Sequence, residues 1–343
     1  MSSLPADLYA LDFSQWKRES VRQCFAASRI HFVSSIDEVP AHAWLAVWGM
    51  RDVSVSLATG VNVLRLEDGF LRSVGLGADL IRPMSWVVDR SGLYYDARTP
   101  SDLELILQQA SFDSALLKRA NALRARIVQS RITKYNVGHE AWQAPSQASR
   151  LILVPGQVES DAALAFGAPG IRQNMALLRA VREANPQAYV VYKPHPDVVA
   201  GLRLAGENET SALQWCDVVV TEVGMDTLLD VVHEVHVMTS LAGFEALLRG
   251  KAVTCYGQPF YAGWGLTTDL LSLPRRSQVL QLDELVAGAL LVYPSYLSRS
   301  TGKVCTAEEA LDDLLRWKAM QGTKTPVWRK VFRMALRKIV GVK

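Results

Sequence analysis

Four short stretches of this 343-residue chain collect residue types that could do chemistry. Glu67, Asp68 and Arg72 lie in LEDGFLRS, and Gln157, Glu159 and Asp161 in PGQVESDA. Lys193 and His195 lie in YKPHPD, and Ser240 and Glu245 in TSLAGFEALL. Transfer of a glycosyl group through an oxocarbenium-like state needs one base for inversion, or a nucleophile plus an acid/base for retention. Two carboxylates, one from Glu67 or Asp68 and one from Glu159 or Asp161, would suit the second course if they faced each other. Spacing alone favours a plainer account, in which Asp68-Gly69 marks a turn and Glu159 with Asp161 opens a solvated helix.

The other two stretches suit a phosphate. Two prolines fix the backbone around His195, and proline cannot continue a central strand, so the imidazole should project from a strand end beside Lys193. Together the two could neutralise a departing phosphate; a histidine in a rigid turn can also simply bond a neighbouring loop. The remaining histidines, His31, His42, His139, His233 and His236, have no such setting. Ser240 suits a helix N-cap, and Gly243 allows close approach. The free amides and positive dipole end could hold a phosphate, with Glu245 accepting ribose hydroxyls one turn in. Equally, Ser240 could only cap and Glu245 only favour the dipole. Neither GxGxxG nor GxxxxGK[ST] occurs, so no dinucleotide fingerprint or P-loop is supported.

These residues need elements to hold them. The first half gives short apolar runs: RIHFV near Ile30, WLAVWG from Trp44, VNVLRL from Val61 and SWVVD from Ser85. Helical stretches begin near Ser101 and Phe112, the second with Leu116, Leu117, Ala120, Leu123 and Ile127 at helical spacing. Polar, proline-containing Glu140 to Ser149 reads as a linker. Beyond it, strands LILVPG, YVVYKPHP, DVVVTE, VHVMT and AVTCYG alternate with helices over Ile171 to Ala184, near Thr227 and from Ser240. Alternation of that kind predicts βαβ units and a parallel sheet, and continuous apolar strands predict a sheet covered on both faces. The expected fold is α/β, with two Rossmann-like domains (1–148 and 149–303) facing across a cleft, and C-terminal helices over 304–343. All four chemical stretches then fall just past strand ends, where ligands of such sheets bind.

Composition narrows the classes further. The chain is 49% hydrophobic and 21% charged, enough to fill large cores. No apolar run approaches the roughly 18 residues of a membrane span, and the amino end lacks a secretory layout, so a cytoplasmic protein is expected. Cys24, Cys216, Cys255 and Cys305 are far apart and read as reduced thiols, with no metal site expected. The formal charge of +3 hides an asymmetry: Met1 to Asp313 carries −6, and the nine bases after Asp313 have no acid among them. An acidic body argues against nucleic acid. The tail, TPVWRKVFRMALRKIVGVK, places Val327, Trp328, Val331, Phe332, Leu336 and Ile339 on one helical face, with bases largely opposite. A basic amphipathic helix over Val327–Lys343 suits an anionic membrane surface, or the chain's own acidic body.

Taken together and in order, RLEDGFLRSVGLGADLIRP, PGQVESDA, YKPHPDV and HVMTSLAGFEALLRGKAVTCYGQPFYAGWGLTTD resemble the bacterial capsule polysaccharide biosynthesis proteins. That family includes the KpsC-type β-Kdo transferases. The similarity runs from about Leu64 to Asp269. KpsC proteins carry two such modules in tandem; this chain resembles one, more the second than the first. The resemblance implies a GT-B-like fold and retaining, metal-independent transfer of Kdo from CMP-β-Kdo to a lipid-linked Kdo acceptor, with no cofactor. It implies Asp161 as nucleophile, Glu67 as acid/base, and Lys193 and His195 at the CMP phosphate and sugar carboxylate. Ser240 and Glu245, with Gln157, would bind the nucleotide, while Arg72 and Asp68 would meet an anionic sugar or acceptor. An ionised nucleophile beside a proton-cycling Glu67 requires their pKa values to differ. Tyr261 and Trp264 would wall the cleft or form a packed turn. The implied place is the inner face of the inner membrane, with capsule assembly or export proteins as possible partners. Two other classes stay open: another CMP-sugar or CDP-alditol transferase, and a non-catalytic assembly partner.

Overall fold

The computed structural model describes residues 5–53, 60–75, 81–138 and 140–321. The basic helix expected over Val327–Lys343 lies outside the described residues. In chain order the first part runs β1 (Asp7–Leu11), α1 (Gln15–Cys24), β2 (Arg29–Val33), β3 (Trp44–Trp48), β4 (Asn62–Asp68), β5 (Ser85–Asp89), α2 (Asp102–Gln109) and α3 (Ser114–Gln129). The second runs β6 (Leu151–Pro155), α4 (Ala162–Gly167), α5 (Asn174–Ala184), β7 (Tyr189–Lys193), α6 (Pro196–Val199), β8 (Val218–Val219), α7 (Met225–Val231), β9 (Glu234–Val237), α8 (Leu241–Leu248), β10 (Ala252–Cys255) and β11 (Thr268–Asp269). The described residues end with α9 (Leu282–Val286), a π-helical turn (Ala287–Val292), β12 (Pro294–Leu297), β13 (Val304–Cys305) and α10 (Ala307–Gln321).

Two sheets result. The first has the order β13-β12-β5-β4-β3-β1-β2, parallel from β4 to β2 and antiparallel from β4 through β5 and β12 to β13. The second, β11-β10-β9-β6-β7-β8, is parallel throughout. Side chains alternate across a strand, so β6 serves two cores at once. Ile152 and Val154 pack with Leu177, Leu178 and Val181 of α5, while Leu151 and Leu153 face the core shared with Leu228 and Phe244. Every residue of LILVP is buried, which is why this strand reads as an unbroken apolar run.

The end of the chain does not follow the expected boundary at 303. Strand β12 leaves the second half and pairs antiparallel with β5, so residues 294–297 complete the first sheet. Its pairing covers an edge that β5 would otherwise expose. Helices α9 and α10 return with it, tied to α3 by Arg124–Asp283 (3.0 Å), Arg119–Glu308 (2.6 Å) and Arg126–Asp312 (2.6 Å). The expected DVVVTE strand is cut to Val218–Val219 at the sheet's edge. Strand β1 lies between β2 and β3, drawn from an amino end in which no strand was expected.

The two halves share one core. Phe70, just after β4, stacks on Phe260 (4.5 Å between centroids) and sits 6.0 Å from Phe244 of α8. Buried Glu104 of α2 takes Arg276 Nε at 2.8 Å and also pairs with Arg275. Arg276 in turn donates to the carbonyls of Pro259 (2.5 Å) and Ala262 (2.7 Å). This clamp fixes the loop carrying Phe260 against the first half.

Candidate active site

A cavity of about 440 Å³ opens where the carboxyl ends of β3 and β4 meet those of β6, β7 and β9. All nine site residues named from sequence line it: Glu67, Asp68, Arg72, Gln157, Asp161, Lys193, His195, Ser240 and Glu245. They come from both sheets.

On the first-half wall, Glu67 and Asp68 end β4. Glu67 is half-buried; its Oε1 accepts from the Asp68 amide (3.0 Å) and its Oε2 from the Tyr95 hydroxyl (3.3 Å). Loss of solvent and the neighbouring Asp68 charge push its carboxyl up to about 7. Asp68 Oδ2 takes Arg72 Nε at 2.5 Å, and Arg72 Nη1 donates to Ser73 Oγ (3.1 Å). Arg72 is buried, its guanidinium 5.8 Å from the Tyr135 ring. Asp68 and Arg72 therefore form one held ion pair.

Asp161 is the exposed N-cap of α4, placed by the Val158–Asp161 turn (2.9 Å) at the mouth of β6. Its charge reaches Tyr95 and Lys134, and Tyr95 is the residue that bonds Glu67. The two carboxylates thus sit in different surroundings: Asp161 is exposed and Glu67 is desolvated. Glu159 does not join them. Its carboxylate accepts from the Asn174 (2.8 Å) and Glu207 (3.1 Å) amides, so it holds the α5 entrance rather than the cavity.

The residues expected on the nucleotide side take a sharper form. His195 caps α6, its Nδ1 accepting the Asp197 amide at 3.2 Å, which puts the ring proton on Nε2. Desolvation, with Lys134, Arg203 and Lys193 nearby, pushes the imidazole down to about 3. It is neutral near pH 7 and can donate a hydrogen bond, but it does not supply the positive charge expected of it. That charge comes from the cations pressing on it: Lys134 and Arg203, both lining the cavity and both missed in the sequence, with Lys193. Lys193 is buried, with Nζ donating to the carbonyls of Val223 (2.6 Å) and Thr221 (3.1 Å), leaving one ammonium hydrogen for the cavity. Burial lowers it to about 8.

Ser240 does cap α8, its Oγ accepting from Ala242 N (3.3 Å). Glu245, buried one turn in, accepts the Lys134 amide at 2.6 Å, and desolvation pushes its carboxyl up to about 7. It therefore ties the segment carrying Lys134 and Tyr135 to α8. Gln157 exchanges two bonds with Thr239 (3.0 and 2.9 Å), locking the ends of β6 and β9 together. Tyr261 and Trp264 are fully buried, so the GQPFYAGWG string is a packed turn, and Pro259 and Phe260 form its contribution to the cavity. Among the described residues no cluster of His, Cys, Asp and Glu could hold a metal ion, and no helix is long and apolar enough to cross a membrane.

Residues 49–296 match the family described as capsule polysaccharide biosynthesis protein. The capsule polysaccharide modification protein LipA of Neisseria meningitidis serogroup A is 44% identical, over 98% of this chain and 49% of LipA. The lipopolysaccharide-processing protein LpsZ of Rhizobium meliloti is 36% identical, over 87% of this chain and 72% of LpsZ. The chain thus spans about half the length of LipA. Among solved structures, Thermosulfurimonas dismutans KpsC, described as a beta Kdo 2,7 transferase, aligns over 91% of this chain and 99% of its own at 42% identity, TM-score 0.77. Its beta Kdo 2,4 transferase counterpart aligns equally far at 29% identity, TM-score 0.79. Matched over most of its length, with the strings that build the cavity inside the match, this chain belongs to the capsule polysaccharide biosynthesis protein family.

Proposed function

We propose that this chain is a retaining β-Kdo transferase module of GT-B-like arrangement, moving Kdo from CMP-β-Kdo to a lipid-linked Kdo acceptor without a metal. The observation that carries this reading is the convergence of Glu67 and Asp161, from different halves, on one cavity whose far wall is cationic. Similarity to two structures described as Kdo transferases supports the donor.

In the first step the Asp161 carboxylate attacks the anomeric carbon, and the bond to the CMP phosphate breaks. The phosphate departs with its electron pair toward Lys193, Lys134 and Arg203, with His195 Nε2 donating a hydrogen bond and the α8 amides facing the nucleotide. In the second, Glu67 takes the proton of the acceptor hydroxyl, whose oxygen displaces Asp161. Two inversions return the original configuration. A carboxyl near 7 can accept that proton and release it to water. The Val327–Lys343 tail would hold the cavity at the inner face of the inner membrane, near a lipid-linked acceptor.

Incubating the protein with CMP-Kdo and a short Kdo-terminated acceptor tests this. A β-linked product supports it. Transfer only from another CMP-sugar or a CDP-alditol would favour the second class, and neither hydrolysis nor transfer would favour a non-catalytic assembly partner.

A further inference from the structure

The first-half wall holds three residues that the steps above do not use: Trp16 and Lys17 in the first turn of α1, and Trp48 at the end of β3. Lys17 is placed at a cost. A cation in the first turn opposes the helix dipole, and that turn holds no acidic residue to offset it. Desolvation lowers its ammonium to about 8. Among the described residues its Nζ makes no hydrogen bond or ion pair, lying instead 3.0 Å from the centroid of Trp48 and 5.3 Å from that of Trp16, within the field of Asp68 and Glu67. Trp48 is fixed from behind by Trp86 (5.3 Å) and Phe13 (6.4 Å), leaving it half-buried on the cavity.

The position of this group relative to Glu67 matters most. Gly49 follows Trp48 with φ +63°, and a Cβ there would lie in ordinary contact with Glu67 Oε2, at 3.6 Å. Trp48 pairs in register with Leu66, so along the strands its side chain alternates away from that of Glu67. At the strand ends, however, both line the one cavity, and the charges of Asp68 and Glu67 act on the Lys17 ammonium. A sugar hydroxyl held at Glu67 therefore brings its ring beside Trp48 and Lys17.

We propose that Trp16, Lys17 and Trp48 form the acceptor subsite and select an acidic saccharide. Its apolar ring face stacks on the Trp16 indole, and its carboxylate pairs with Lys17 Nζ, which the Trp48 ring holds in place. The proposal rests on the transferase reading and names how that site chooses its acceptor.

The test crosses a protein change with a ligand change. Initial rates are measured for wild type and Lys17→Met with a Kdo-terminated acceptor and with the same acceptor as its methyl ester. Wild type should favour the acid in KM by about tenfold or more, as a charge-assisted bond implies. Lys17→Met should lose that preference by raising KM for the acid alone, and Lys17→Arg should restore most of it. A merely structural lysine would move acid and ester together, and an unchanged acid preference in Lys17→Met would overturn the proposal. CMP binding, read by titration on the same proteins, separates the two readings. Wild type failing to bind CMP sinks the transferase reading, whereas variants that bind CMP and keep the acid preference sink only the subsite.

Discussion

Replacing Glu67 by Gln removes a desolvated carboxyl from the end of β4 while keeping its shape and both of its hydrogen-bond partners, the Asp68 amide and the Tyr95 hydroxyl. The wild-type carboxyl titrates near 7 in the folded chain against an ordinary 4.5. Between those values the folded protein holds a proton that the unfolded chain releases, so wild-type stability falls as pH rises across that window. At about 1.4 kcal/mol per pH unit, the loss above pH 7 is roughly 3 kcal/mol. With an unfolding entropy of about 2 cal/mol/K per residue over this chain length, that is about 4 °C in melting temperature. Glu67→Gln has no such penalty. Its melt should therefore lie about 4 °C above wild type at pH 8.5 and coincide with it near pH 4.5. The same variant loses the proton acceptor, so transfer should fall by about 10²–10⁴. Thermal melts by circular dichroism at the two pH values, with product formation followed alongside, give both numbers. A variant less stable than wild type at pH 8.5, or one transferring within a few-fold of it, would refute the assignment of a strained, catalytic carboxyl.

Two further outcomes follow from the same geometry. Lys193→Met should weaken CMP binding about tenfold near pH 7, and wild-type binding should decline above pH 8 as the lowered ammonium loses its proton, while the variant stays flat; calorimetric titration reads both. Arg276→Ala leaves the buried Glu104 carboxylate with Arg275 alone and unpairs the carbonyls of Pro259 and Ala262, so urea denaturation should show a loss of about 3 kcal/mol.

How much of this was legible depended on range. Glu67, Asp161, His195 and Ser240 each sit within a few residues of a strand's carboxyl end, so a local pattern of apolar run then polar cluster marks them. The sheets then bring those ends together. Lys17, Trp48, Lys134 and Arg203 are set by no such pattern. Trp48 closes a strand that reads as core, Lys17 begins a helix, and Lys134 is held at the cavity by partners distant in sequence, Glu245 at its amide and Ser73 at its carbonyl. The neutrality of His195 is hidden for a related reason: it comes from burial and three cations, two of them invisible in the local motif. Asp161 and Glu159 looked alike in sequence, and only the Asn174 and Glu207 amides distinguish them. Strand β12 escaped because its partner, β5, precedes it by some two hundred residues.

The central claim is a covalent sugar on Asp161. Glu67→Gln protein, mixed with CMP-Kdo and acceptor, should form the adduct and release it slowly, since departure of a phosphate needs no acid and only the second step needs Glu67. Intact-mass spectrometry should show a gain of one Kdo, mapped by proteolysis to the peptide bearing Asp161 and lost in the Glu67→Gln, Asp161→Asn double variant. A Kdo adduct on another residue, or an adduct-free enzyme making product of inverted configuration, would contradict it.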